Sequence, residues 1–185
     1  MLIVKFDSFP TLQTQRLLLR ELLPSDAEAI FKMRSNERVM QYIGKLPQKD
    51  LQEAQELVET YRKAFQENEA VNWAICLLEQ PDTLIGTVGF WRMDKVNYRT
   101  EIGYTLQFEH WRKGIMDEAL KAVIEYCFKT LQFHTIEANT DPENEASGRI
   151  LEKHGFVQEA YFRENFYFEG KFLDSRIYSK INPYA

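Results

Sequence analysis

The sequence predicts one mixed α/β domain built around a largely antiparallel sheet. Three observations carry that reading. Short apolar segments at strand length recur through the middle of the chain, separated by turn residues. A long amphipathic helix opens at Ile115, directly after a basic loop with one glycine. In chain order the elements read β, α, α, β, β, β, α, β, α, β, β, and no linker, repeat or low-complexity segment divides them. The 185 residues suit a single domain with a full core, and 44% hydrophobic with 28% charged residues is the balance of a soluble globular protein.

Each element has its own signal. Arg16 to Arg20, RLLLR, reads as the first strand. Pro24-Ser25-Asp26-Ala27-Glu28 opens a helix, with Ser25 and Glu28 at capping-box spacing and Ala29, Ile30 and Met33 on its apolar face. A second helix is expected from Gln48 to Gln66, with Leu51, Ala54, Val58, Tyr61 and Phe65 on one side and Asn68 as its stop. Val71 to Leu78, Leu84 to Trp91 and Tyr98 to Leu106 read as three strands of an antiparallel meander, the first pair joined by a turn at Gln80-Pro81-Asp82. Gly86 and Gly89 within the second of them mark a close backbone neighbour or a bulge. The long helix carries Ile115, Met116, Ala119, Leu120, Val123, Ile124, Cys127 and Phe128 as one stripe. A strand at His134 to Thr140 follows. The last helix begins at Asp141-Pro142-Glu143-Asn144 and ends before Gly155. Two final strands flank the turn Glu169-Gly170-Lys171.

Composition narrows the function. A net charge of −5 argues against direct nucleic-acid binding and suits, faintly, a cationic acceptor such as an amine. Cys76 and Cys127 lie in apolar stretches with no CxxC spacing, so they read as reduced and buried. His110, His134 and His154 show no metal-ligand spacing, and no metal is expected. The N-terminal MLIVKFD is too short for a signal peptide, and no apolar run approaches the ~18 residues of a membrane span. The expected compartment is a reducing cytoplasm.

The segment His110 to Thr130 carries the sharpest chemistry. A glycine loop feeding a helix N-terminus presents unpaired N–H groups and a positive dipole end, and Arg112 and Lys113 add two cations. Such a place suits a phosphate or diphosphate. It equally describes a surface turn with solvated charges, and the loop alone does not choose.

Four segments resemble the GNAT family of acyl-CoA-dependent N-acetyltransferases, and most closely its RimJ/RimL branch. They are QRLLLRELLPSDAEAIF, EIGYTLQFEHWRKGIMDEAL, NTDPENEASGRILEKHGF and the C-terminal hairpin ending EGKFLDSRIYS. With the element order they span nearly the whole chain. The resemblance implies a GNAT-like fold, a strongly twisted and mostly antiparallel sheet of about seven strands flanked by about four helices. It also implies acetyl-CoA as co-substrate, and a protein N-terminus or small amine as acceptor. The family's cofactor loop prefers Gln or Arg, two residues, Gly, one residue, then Gly or Ala. Here the frame reads Trp111, Arg112, Lys113, Gly114, Ile115, Met116, and only Gly114 fits it strictly. The RimJ/RimL branch commonly has tryptophan first and accepts methionine last. Arg112 stands where that branch often has glycine.

The resemblance assigns roles by position. Backbone groups of Leu106, Gln107 and Phe108 hold the pantetheine arm. Amides from Arg112, Lys113, Gly114, Ile115 and Met116 hold the diphosphate. Splaying between this strand and the one ending at Asn139 leaves free N–H groups for the oxyanion. Asn144 bonds the cofactor arm, and Ser147 sits near the sulfur. Many relatives carry a tyrosine acid at the position of Leu151, which cannot donate a proton. Glu101 becomes the general base. Each has a plainer reading: Asn144 and Ser147 as helix caps, Glu101 as a solvent-facing charge or a partner for Arg99. The aromatic run from Tyr161 to Tyr178 reads first as core and sheet packing, and secondarily as lining of the acceptor cleft or a homodimer contact. Against the enzyme stand a non-catalytic acyl-CoA-binding module of the same fold and, more weakly, an unrelated nucleotide-binding domain. The latter lacks its GxxxxGK[ST] loop and alternating βαβ series.

Overall fold

In the computed structural model, which describes residues 1–184, the strands form one eight-stranded sheet in the order β1-β2-β3-β4-β5-β6-β8-β7. The strands are β1 (Leu12–Gln13), β2 (Leu17–Glu21), β3 (Val71–Leu77), β4 (Gln80–Asp94), β5 (Arg99–Leu106), β6 (Thr135–Thr140), β7 (Val157–Phe168) and β8 (Lys171–Ile181). The helices are α1 (Ala27–Arg34), α2 (Glu37–Met40), α3 (Leu51–Gln66), α4 (Ile115–Lys129) and α5 (Glu145–Lys153). All neighbouring strands are antiparallel except β5 and β6. This is the expected mixed α/β architecture with two additions, β1 and α2. Two residues and a single turn are too short to show a period in sequence.

Period-2 alternation explains why the central strands read as continuous apolar runs. Val71, Trp73 and Ile75 of β3 enter one buried cluster, whereas Ala74 and Cys76 enter another on the opposite face. The first cluster is capped by α4 through Ala119, Leu120, Val123 and Cys127, with Leu151 of α5 beside it. The second is closed by α1 and α3 through Ile30, Met33, Ala54 and Val58. Both cysteines are buried and unpaired.

Several boundaries differ from expectation for local reasons. The β3–β4 turn falls at Leu78 and Glu79, because a register shift at Ile75 to Leu77 shortens β3 and draws Gln80 and Pro81 into β4. No Ser25–Glu28 box forms. The Asp26 carboxylate instead accepts the Leu23 amide (2.7 Å) and takes both arms of the Arg20 guanidinium at 2.8 Å. That pair ties β2 to the start of α1. Removing Arg20 would leave the buried Asp26 carboxylate without its counter-charge, which destabilises the fold. The N-cap of α3 is Asp50, which accepts the Glu53 amide (3.0 Å), and Asn68 ends that helix region at φ +57°.

The terminal hairpin corrects its first reading. Of its aromatics, Tyr178 is buried, but Tyr167 and Phe172 are 62% and 63% exposed, and Tyr161, Phe162 and Phe166 stand largely in solvent. The physical reason is topological. Strand β7 is the sheet edge and pairs only with β8. Phe166 packs against Gly44, 2.7 Å from where a Cβ would stand, so the hairpin closes onto the loop between α2 and α3.

Candidate active site

The site is a gap in the sheet. Strands β5 and β6 run parallel and pair only at Arg99–Thr135, Thr100–Ile136 and Glu101–Glu137. Beyond that point β5 stays on β4 as far as Leu106, and β6 stays on β8 as far as Thr140. The sheet therefore splays from Ile102 and Ala138 onward, as the resemblance implied. The Gln107 amide donates to Ile85 on the β4 side (2.9 Å). Alternation then turns the backbone of Leu106 and Tyr104 toward the gap.

Two cavities, of about 420 and 490 Å³, meet at this gap. Tyr42, Ile43, Tyr104, Thr105, Asn144 and Ser147 border both. The larger runs along the end of β5 to the glycine loop and is bordered by Leu106, Arg112 and Met116. The smaller lies over the sheet face beneath α1 and α3. Alternate positions Asn72, Gly89, Trp91, Glu101 and Gly103 form its floor. The two glycines leave that floor low. A Cβ on Gly89 would collide with Asn72 and the Val71 carbonyl, which accounts for the glycine in this strand.

The loop before α4 is held from behind. Arg16 donates to the carbonyls of Lys113 (3.0 Å) and Gly114 (3.2 Å) and to Glu118 (2.6 Å). Glu118 also accepts from Thr14 (2.6 Å) and the Arg16 amide (2.8 Å). With those carbonyls tied back, the amides of Arg112, Lys113 and Gly114 find no acceptor among the described residues. Gly114 is the N-cap of α4 at φ +72° and Arg112 sits at φ +59°. A left-handed conformation is free for glycine but costs another residue roughly 1–2 kcal/mol. The arginine at a position often held by glycine thus keeps glycine's backbone shape. An array of unpaired amides at a positive helix end fits a diphosphate.

The predicted residues divide by position. Glu101, Leu106, Arg112, Met116, Asn144 and Ser147 line the cavities. Ile115 is buried in the main core, so only its backbone is available. Lys113 and Gly114 contribute loop backbone beside the cavity. Gln107 is turned away, its side chain donating to the Leu84 carbonyl (3.1 Å). Phe108 packs on Trp111 and beneath Arg38.

Asn144 is the cap of α5: its Oδ1 accepts the Ser147 amide (3.1 Å). This releases the Ser147 hydroxyl from capping. That hydroxyl is 2.7 Å from the Tyr104 hydroxyl, a partner that sequence inspection missed. Burial pushes the Tyr104 phenol up to about 12, against the opposing influence of the hydrogen bond it shares with Ser147, so it keeps its proton at working pH. Leu151 is fully buried among apolar side chains, and the phenol beside Ser147 comes from β5.

Glu101 pairs with Arg92 (2.9 Å), while Arg99 takes Glu137 instead. Arg92 reaches it from an irregularity in β4, at φ +48° with its guanidinium 4.7 Å above the Trp91 ring. Burial raises the carboxyl pKa of Glu101, and Arg92 only partly opposes this. A carboxylate poised upward and facing a cavity has the properties of a base.

Comparison with known proteins agrees with this geometry. The Acetyltransferase (GNAT) domain family matches residues 16–157. An uncharacterised Bacillus subtilis N-acetyltransferase, YoaA, is 38% identical over 95% of this chain and 98% of its own. The Escherichia coli [ribosomal protein uS5]-alanine N-acetyltransferase is 31% identical over 54% of this chain and 52% of its own. A GNAT-family acetyltransferase from Bacillus anthracis superposes with a TM-score of 0.83 at 27% identity, covering 94% of this chain and 99% of that one. The fold is shared with a Vibrio cholerae spermidine N-acetyltransferase solved with CoA and spermine, at a TM-score of 0.80 and 24% identity over 91% and 97% of the two chains. The family match over most of the chain and the shared fold define an acyl-group transferase. The chain belongs to the GNAT family and is an N-acetyltransferase. No helix among the described residues is long and apolar enough to cross a membrane.

Proposed function

We propose that this enzyme transfers an acetyl group from acetyl-CoA to a primary amine, the α-amine of a protein N-terminus, by direct attack in a ternary complex. The observation that carries this reading is the gap between β5 and β6, where two cavities with different linings meet. Acetyl-CoA supplies an activated thioester when bound. The loop amides from Arg112 to Met116, with the Arg112 cation, receive its diphosphate. The open edge of Tyr104 and the Leu106 amide pair with its strand-like arm, the Leu106 carbonyl being taken by the Trp111 indole (2.8 Å), and Asn144 borders the arm where it enters the gap. The resulting ladder brings the thioester to the mouth of the acceptor cavity.

There the amine nitrogen attacks the carbonyl carbon. A C–N bond forms and the C–S bond breaks. Unpaired β5 amides hold the developing oxyanion. Glu101 accepts the amine proton through a water, and its raised pKa narrows the mismatch with an ammonium group. The Ser147 hydroxyl, polarised by Tyr104, donates to the departing thiolate. These groups favour catalysis over a module that only binds acyl-CoA. The 420 Å³ acceptor cavity also admits a small amine, which is the alternative acceptor. Two buried, unpaired thiols suit a reducing cytoplasm.

The test is acetyl-CoA turnover against a panel of N-terminal peptides and small amines, following thiol release and the mass of the acceptor. A peptide acetylated at its α-amine supports the reading. Cofactor binding without turnover on any amine would replace it with the binding module.

A further inference from the structure

The acceptor cavity borders a buried cation that no carboxylate compensates among the described residues. Arg34, at the C-terminal end of α1, is 9% exposed and borders this cavity. Among the described residues its guanidinium donates only to the Tyr61 hydroxyl (3.2 Å), and its Nε is buried without an acceptor. No carboxylate lies within ion-pair distance of it among the described residues. Arg20, a partly buried arginine, is the contrast: it is met by Asp26 through both arms at 2.8 Å. Burying a guanidinium with no counter-charge costs several kcal/mol, and such groups are normally paired. Gln48 Oε1 is also buried without a donor, and the Gln48 amide bonds the Arg34 carbonyl (2.9 Å). An amide oxygen facing Arg34 would still leave the positive charge unmatched.

The remaining charges around the cavity divide by wall. Lys45, also without an ion-pair partner among the described residues, joins Arg34 on the helical side, whereas Glu101 and Asp141 lie on the sheet side. Glu101 already has Arg92, and Asp141 accepts the Glu143 amide (2.8 Å). The charge left over is therefore positive and belongs to the helical wall. Resting on the acetyl-transfer reading above, we propose that the acceptor carries a carboxylate besides its amine, received by the Arg34 guanidinium with Lys45 beside it. Arginine presents a planar fork of donors that matches a carboxylate. A polyamine, with cations only, would meet repulsion at this wall. The carboxylate has two sources: an acidic side chain close behind a peptide's N-terminus, or the α-carboxylate of a free amino acid.

Paired acceptors separate them. One pair is a short peptide with Glu or Gln following its N-terminal residue, and the other is a free amino acid and its carboxamide. In the wild-type enzyme the carboxylate member of at least one pair should have a kcat/KM higher by about 10-fold or more, mainly through KM, as for one charge-assisted hydrogen-bonded pair. The pair that discriminates names the source. In Arg34→Met the preference should vanish, and in Arg34→Lys part of it should remain, with coenzyme A affinity by calorimetry unchanged in both. A merely structural Arg34 would lower melting temperature and leave the ratio within each pair intact, and that result overturns the proposal. Equal rates within both pairs in the wild type overturn it without any variant, and leave acetyl transfer standing. Absence of turnover with every amine, spermidine included, while coenzyme A still binds, would remove the function reading as well.

Discussion

The two cavities that meet at the split sheet are built from different materials. On the side proposed for the cofactor the groups on offer are backbone: amides of a loop held by Arg16, and the open edge of β5. On the acceptor side they are side chains gathered from α1, α3, β4 and β5, with Glu101, Tyr61 and Arg34 contributed from widely separated parts of the chain. A backbone site tolerates side-chain drift as long as φ and ψ survive, which is why Arg112 can occupy a left-handed position often held by glycine. A side-chain site can be re-specified by single substitutions. The same fold can therefore keep one co-substrate and change its acceptor.

That contrast can be broken by mutation, beginning where the largest effect is expected. Glu101→Gln should lower kcat/KM with an authentic acceptor by about 10² to 10⁴-fold, the usual worth of a positioned base, while coenzyme A affinity by calorimetry stays within a factor of about two. Parallel losses in both quantities would merge the two sides. Next in size, Ser147→Ala should slow turnover on the order of 10 to 100-fold with little change in melting temperature, because Asn144 and not the Ser147 hydroxyl caps α5. Tyr104→Phe should do the same through the lost 2.7 Å contact. A lower melting point with normal kcat would return Ser147 to a structural role.

On the cofactor side, Gly114→Val places a β-branched residue at φ +72°. It should weaken coenzyme A binding by about 10-fold or more, the equivalent of about 1–2 kcal/mol of left-handed strain. Its acceptor KM should be nearly unchanged. Unaltered affinity in calorimetry would remove the loop from the site. The subtlest test is a pH profile. Glu101 must be ionised to act, so the rate falls as pH drops through its pKa. Burial raises that pKa, and the acid limb should lie above the range of an ordinary glutamate. Arg92 is the main opposing influence, so Arg92→Gln should move the limb further upward without altering coenzyme A affinity. A limb that stays in place would separate Arg92 from the base.

Much of the cofactor side was legible because its signals are local. The glycine, the two cations and the amphipathic stripe are consecutive in sequence, and the turn they describe forms where they stand. Even so, Gln107 was assigned to the cofactor arm and is instead occupied by Ile85 and Leu84 on the next strand. Adjacency to a site does not say which way a strand residue points. The acceptor side was hardly legible. Nothing near Arg34 in sequence marks it as a buried cation without a partner, and Tyr104 within EIGY reads as an ordinary strand residue until α5 carries Ser147 against it. The exposed aromatic hairpin failed for the same reason. Its alternation is that of a packed strand, and the rings stay in solvent because the hairpin reaches beyond β6, whose pairing with β8 stops at Arg176.

By itself, then, the sequence determined the element types, their order, the meander and the helix-end loop, because each follows from a short-range period or a backbone requirement. The tertiary structure decided where pairing between β5 and β6 stops, which hydroxyl Ser147 meets, that Arg92 and not Arg99 faces Glu101, and that Arg34 is enclosed without a counter-ion. Those are matters of which side chains and strands meet across different elements of the fold. Their energies depend on burial and register, and neither exists until the sheet has closed around them.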